Sequence, residues 1–209
     1  HHGRNVFAET CPQYLWLTLE ETLGQPGFEG AKWVCSTPVR SKEHDPHYIG
    51  QMGHGHQGDL WKGLRMNELA VVSTDHCPFC MKDQKELGLG NFAAIPNGIG
   101  GVEHRMELIY QGVVAGELSL ERWVETCCTT PARMFGLAHK GVLEPGADAD
   151  TLVWDPSRRT KIAINDKHHM NMDHSAYEGF EIDGKVDTVI SRGAIVIEND
   201  TYVGTKGHG

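Results

Sequence analysis

The stretch Leu69-Ala70-Val71-Val72-Ser73-Thr74, followed at once by Asp75-His76-Cys77-Pro78, constrains this chain more than any other. It is an unbroken apolar run too short for a core helix, and it predicts a parallel strand covered on both faces. Parallel strands need crossover helices, so the chain around it should be α/β. In α/β barrels, catalytic groups stand just past the C-terminal ends of the strands. Asp75 therefore becomes a candidate: a carboxylate there can ligate a cation or accept a proton from attacking water. The bland alternative is an Asx turn or a helix cap.

The rest of the chain divides into two parts. Asn5 to Thr10 reads as a second strand, broken by Cys11-Pro12. Gly50 to Gly58 reads as a loop, with Asp59 capping a helix that buries Leu60, Trp61 and Leu64. Met106, Ile109, Tyr110 and Val113 share a helical face that Gly116 ends. Ser119 can cap the next helix over Leu120, Trp123, Val124 and Cys127, and Pro131 is placed to begin a further short one ended by Gly136. From Lys140 the pattern turns to strands at 150–154, 186–192 and 194–197, with turns at Asp155-Pro156, Arg192-Gly193 and Asn199-Asp200. The predicted units are residues 1–139, α/β, and 140–209, β.

Composition narrows the function. With 28 acidic against 19 basic side chains the net charge is −9, which argues against a general nucleic-acid binder. No apolar run approaches the roughly 18–20 residues of a membrane helix. The opening His1-His2-Gly3-Arg4 carries no secretory leader and looks cut from something longer. Six cysteines are too sparse for a disulfide scaffold, and several sit in apolar runs as small buried hydrophobes, which points to a reduced, cytoplasmic protein.

Other motifs carry weaker signals. Pro96-Asn97-Gly98-Ile99-Gly100-Gly101 is a glycine-rich loop whose backbone amides could face a ligand, although it lacks the phosphate-loop pattern. Cys77-x-x-Cys80 has no second pair to complete a zinc knuckle. His54-Gly55-His56, with His44 and His47 nearby, reads as a solvated loop, because no strand precedes it. His168-His169 and His174 lie in a Met-rich stretch and read as packing residues. Asn199-Asp200-Thr201 matches a glycosylation sequon without any other sign of secretion.

Taken in order, Thr10-Cys11-Pro12-Gln13-Tyr14-Leu15, Val34-Cys35-Ser36, Asp75-His76-Cys77-Pro78-Phe79, Gln84-Lys85-Glu86-Leu87-Gly88, Ile95-Pro96-Asn97-Gly98 and Gly141 to Asp150 resemble the C-terminal half of the dihydropyrimidinase, or D-hydantoinase, family of the amidohydrolase superfamily. His168-His169-Met170 and Tyr177-Glu178-Gly179 fit the same region. The resemblance implies part of a (β/α)8 barrel, contributing its C-terminal strands and helices, followed by part of a small β-sandwich. It also implies a zinc-dependent hydrolase of pyrimidine catabolism, a cytoplasmic homotetramer that opens dihydropyrimidines and 5-substituted hydantoins to N-carbamoyl amino acids. In that family two zinc ions, bridged by a carboxylated lysine and held by histidines, activate a hydroxide. By the same resemblance Asp75 would bind one zinc and shuttle the proton to the leaving nitrogen. Ser36 and Asn97 would hold the amide and imide edge of the substrate.

The other metal ligands of the family lie upstream of its Thr-Cys-Pro-Gln-Tyr motif, so the resemblance assigns this chain Asp75 alone. One carboxylate is short of the three protein ligands a catalytic zinc takes, and the isolated chain is expected to be inactive. Two readings compete with a hydrolase: a non-catalytic scaffold branch of the same family, and an inactive fragment. The role of the His-rich stretch from Arg40 to Trp61 stays open.

Overall fold

The structure is a computed structural model that describes residues 6–43, 55–165 and 168–208. Strands β1 (Glu9–Thr10) and β2 (Val71–Val72) pair in parallel, Glu9 opposite Val71 and Thr10 opposite Val72. The ladder reaches further than the paired residues: Ala70 N donates to Ala8 O at 2.8 Å, and Ser73 N to Thr10 O at 3.0 Å. Both valines of β2 are buried, as a strand covered on two faces requires. Past the end of β2, His76 bridges Ile99 in the same parallel sense. Asn5, the start of the expected first strand, lies outside the described residues.

Several expectations need correction. Cys11-Pro12 does more than break β1: Pro12 opens helix α1 (Pro12–Trp16), at a position where its missing N–H costs nothing. Helix α2 spans Gly55–Arg65, so residues 55–58 are helical and Asp59 lies within the helix and does not cap it. Three glycines weaken intrinsic helicity there, yet Trp61 and Leu64 are fully buried, and that packing decides the matter. Residues 50–54, the first half of the expected loop, are outside the described residues, as are His44, His47 and His54.

Helix α3 (Arg105–Val114) ends at Ala115 with Gly116 left-handed, as the sequence predicts. Ser119 caps α4 (Leu120–Val124), its hydroxyl accepting from Arg122 N at 3.2 Å. The predicted separation of α4 from the helix at Pro131 is not observed. A π-helical turn over Glu125–Thr129 joins α4 directly to α5 (Thr130–Met134). The wider turn accommodates a proline that would otherwise clash with the preceding carbonyls.

An antiparallel sheet follows in the order β3 (Thr151–Lys161), β4 (Glu181–Ser191), β5 (Ala194–Glu198), β6 (Thr201–Tyr202). The expected turn at Asp155-Pro156 is instead an irregularity inside β3, where the register shifts between Asp155 and Arg159. A bulge excuses the proline from the ladder, so the strand continues. The turns at Arg192-Gly193 and Asn199-Asp200 are as expected, all four residues having positive φ.

The sheet packs on α3. Gln111 exchanges two hydrogen bonds of 3.0 Å with the backbone of Asp183, and Trp154 closes an aromatic trio with Tyr110 and Trp123. Gly184 permits that approach, since a Cβ there would lie 2.6 Å from the Tyr110 ring. The trio belongs to a cluster with Leu64, Val72 and Ile109 that packs helices α2 to α4 against β2 and leaves the strand end, with Asp75, at the surface.

Candidate active site

Asp75 leaves β2 with φ +47°, a left-handed conformation that Asp tolerates better than most side chains. No described residue hydrogen-bonds or ion-pairs with its carboxylate, and the residue is exposed. It lines a cavity of about 690 Å³ together with Ser36, Tyr14, Arg40, His56 and Asp59. Asn97 joins the same constellation, because its Nδ2 donates to Ser36 Oγ at 2.8 Å. Of the three residues singled out from the sequence, Asp75 and Ser36 line the cavity, and Asn97 is tied to it through Ser36.

The segments carrying them are fixed by neighbours whose role the sequence did not reveal. Lys85 is fully buried, and its Nζ donates to three carbonyls: Val34 O at 3.1 Å, Pro96 O at 2.7 Å and Gly98 O at 2.9 Å. Gly98 N also donates to Val34 O at 2.9 Å. One ammonium therefore ties the segment that leads to Ser36 to the segment that presents Asn97. Burial pulls Lys85 down to about 8, while the three carbonyls match the three donors of the charged form. Gly98 is required by close approach: a Cβ would sit 2.2 Å from Cys77 O.

The Thr10-to-Tyr14 motif has a physical meaning of the same kind. Cys11 Sγ meets Ser73 Oγ at 3.2 Å, and Gln13 Nε2 donates to Thr74 O at 3.4 Å, so α1 holds the end of β2. Tyr14 OH donates to Thr37 O at 3.0 Å, which holds the Ser36 segment from the other side. The Ser36–Thr37 peptide bond is cis. Burial pushes the Cys11 and Cys35 thiols up, which disfavours a thiolate nucleophile at either position.

The glycine-rich loop is less open than its sequence suggests. Gly101 N and Val102 N both donate to His76 Nδ1, at 3.1 and 3.3 Å, so these amides orient the imidazole beside Asp75 and do not face a ligand. Cys77 and Cys80 are not joined by a disulfide. His56, expected in a solvated loop, stands on α2 and lines the cavity with Asp75.

Asp75 is the cavity residue that the sequence marks as a metal ligand. Asp75 points an uncommitted anionic donor into the cavity, and among the described residues Asp75 belongs to no group of three His, Cys, Asp or Glu donors. Holding a catalytic zinc would need further ligands.

Residues 54–196 match the Amidohydrolase family, whose members are generally metal-dependent. The chain is 55% identical to a D-hydantoinase of Streptomyces coelicolor, over 99% of the chain and 42% of that relative. A D-hydantoinase structure from Bacillus sp. AR9 superimposes with a TM-score of 0.88 at 40% identity, covering 99% of this chain and 42% of that one. A dihydropyrimidinase structure from Brevibacillus agri gives a TM-score of 0.87 at 41% identity, over 96% and 41% of the two chains. The chain spans about two fifths of the length of the relatives it matches. In that alignment β1 and β2 are strands of a partial (β/α)8 barrel whose sheet is not closed. With its strand-end aspartate and the fold of these hydrolases, the chain belongs to the amidohydrolase family.

Proposed function

We propose that these residues form the C-terminal part of a cyclic-amide hydrolase that opens 5-substituted hydantoins and 5,6-dihydropyrimidines to N-carbamoyl amino acids. The observation that carries this reading is a cavity of about 690 Å³ lined by Asp75, whose carboxylate is uncommitted among the described residues, and by Ser36, to which Asn97 is hydrogen-bonded. Likeness to D-hydantoinases and a dihydropyrimidinase supports the substrate class.

The ring-opening balances as follows. Water adds to a ring carbonyl, the bond between that carbon and the ring nitrogen breaks, and the nitrogen leaves with a proton. Asp75 accepts the proton from the attacking water and returns it to the departing nitrogen, acting as base and then acid. Ser36 and Asn97 hold the amide and imide edge of the ring, with Lys85 keeping their two segments together. Asp75 would also be one ligand of a zinc site, and zinc held there would polarise the carbonyl. The isolated 209-residue polypeptide, with one such carboxylate among its described residues, is then inactive.

We place the barrel part at 1–139 and part of the β-sandwich at 140–209. The family resemblance supports a cytoplasmic homotetramer acting in pyrimidine catabolism on small cyclic amides. Charge and hydropathy give no support to a nucleic-acid partner, and among the described residues no helix is long and apolar enough to cross a membrane. The test is to supply the full-length protein with 5-substituted hydantoins and 5,6-dihydrouracil and to follow N-carbamoyl product. Formation of that product supports the reading, and a zinc-replete, folded protein that opens neither ring overturns it.

A further inference from the structure

A second polar cluster lies where α3 meets the segment after β3. The donor atoms of Glu103, His104 and His168 all fall within 4.8 Å of one another. His104 and His168 expose only 13% and 3% of their side chains, and the Nε2 atom of each is buried with no hydrogen-bond partner among the described residues. His168 Nε2 is 3.4 Å from Glu103 Oε2, close enough for attraction but not aligned as a hydrogen bond. Buried polar atoms are almost always satisfied, so two orphaned imidazole nitrogens facing one carboxylate need a partner.

The surrounding bonds prepare these three groups as ligands. His104 Nδ1 lies 2.9 Å from Glu107 Oε2; donating there leaves the Nε2 lone pair to face the cluster. A carboxylate behind a ligating histidine is the usual support of a metal-bound imidazole. Glu103 accepts from His169 N and Met170 N, each at 2.9 Å, which fixes its carboxylate and brings His168 into place. The cluster also borders a cavity of about 410 Å³, which leaves room for water in a fourth position.

We propose that Glu103, His104 and His168 form a site for one divalent transition metal of the zinc class, with a fourth position open to the cavity. Two neutral imidazoles and one carboxylate suit zinc, cobalt or nickel and discriminate against calcium and magnesium, which prefer oxygen ligands. The bound ion ties the N-terminus of α3 to residues 168–170, two segments far apart in sequence. Asp75 is not among its ligands, so the proposal does not depend on the hydrolase reading.

The direct test is anomalous diffraction at the zinc edge, using crystals of the full-length protein grown with zinc chloride. The expected result is a peak among the three side chains, about 2.0–2.2 Å from the two Nε2 atoms and a Glu103 oxygen. In parallel, protein stripped with a chelator and titrated with cobalt(II) should bind one equivalent more per subunit than His168→Leu or His104→Leu, each checked for native circular dichroism and size. No peak at saturating zinc overturns the site and leaves a histidine–carboxylate ion pair. So does a folded variant that retains the wild-type stoichiometry. The diffraction result stands even where a variant fails to fold.

Discussion

Replacing Lys85 by Met tests whether one buried ammonium positions the segments that carry Ser36 and Asn97. Methionine fills a similar volume but offers no donor to Val34 O, Pro96 O or Gly98 O. Val34 O keeps the 2.9 Å bond from Gly98 N, so the other two carbonyls lose the partner described here. Each orphaned carbonyl costs about 1–3 kcal/mol, or about 2–6 kcal/mol for the pair. In the other direction, burial lowers Lys85 from 10.5 to about 8, and removing that desolvated charge recovers about 3 kcal/mol at neutral pH. The two effects nearly cancel, so global stability should change by no more than about 3 kcal/mol. The local effect does not cancel, because the two segments are then left to the Gly98 N–Val34 O and Asn97 Nδ2–Ser36 Oγ bonds without the ammonium between them. If the proposed ring-opening holds, KM of the full-length protein for a 5-substituted hydantoin should rise at least about tenfold, about 1.4 kcal/mol. Amide exchange should quicken around Ser36 and Asn97, with little change in α3. The pH dependence gives an independent sign. Between about 8 and 10.5 the unfolded chain holds a proton that the folded protein has released, so wild-type stability gains on the variant as pH rises. An unchanged KM together with unchanged exchange in both segments would refute the positioning role.

Three further outcomes are expected. Gly112→Ala places a Cβ 2.5 Å from the fully buried Trp61 ring and should cost about 1–3 kcal/mol in urea unfolding, without changing the composition of the cavity around Asp75. Arg122→Met removes bonds to Leu64 O at 2.7 Å and Leu69 O at 2.8 Å that hold the end of α2 and the start of the β2 segment. It should lower stability by about 3 kcal/mol, and a loss under 1 kcal/mol would contradict that reading. Burial acts to raise the Asp173 carboxyl, but bonds from His174 and from the Lys82 and Met81 amides outweigh it and hold it at about 2. Its folded value lies below the unfolded 3.8, so its stabilisation is present above that pH and disappears as pH falls toward 2. The stability gap between wild type and Asp173→Ala should therefore close on acidification, and a gap that widens would contradict the assignment.

The strand at Val71-Val72 and its terminal Asp75 were legible because an apolar run covered on both faces has few other ways to be buried. The caps at Ser119 and Gly116 were legible because they are local chemistry. Helix α2 was not, since Gly55, Gly58 and Gly63 argue against helix and only the tertiary burial of Trp61 and Leu64 overrides them. Pro156 misled for a related reason: it reads as a stop, and it is absorbed by a bulge in β3. Ser36 and Asn97 could be named because their motifs resemble a family. Lys85 lay inside one of those motifs, but its role required seeing three carbonyls from two distant segments meet at its amine. His104 and His168 had no such route, because nothing local in sequence indicates that residues so far apart share a buried pocket.

The measurement closest to the central claim is ring-opening by the full-length protein with Asp75→Asn. Asparagine keeps the left-handed backbone and the size of the side chain while removing the basic carboxylate. The account predicts conversion of a 5-substituted hydantoin to its N-carbamoyl amino acid by the wild type, with turnover at least about 100-fold lower in a variant of unchanged fold. Turnover within threefold of wild type would contradict the placement of the reaction at the end of β2.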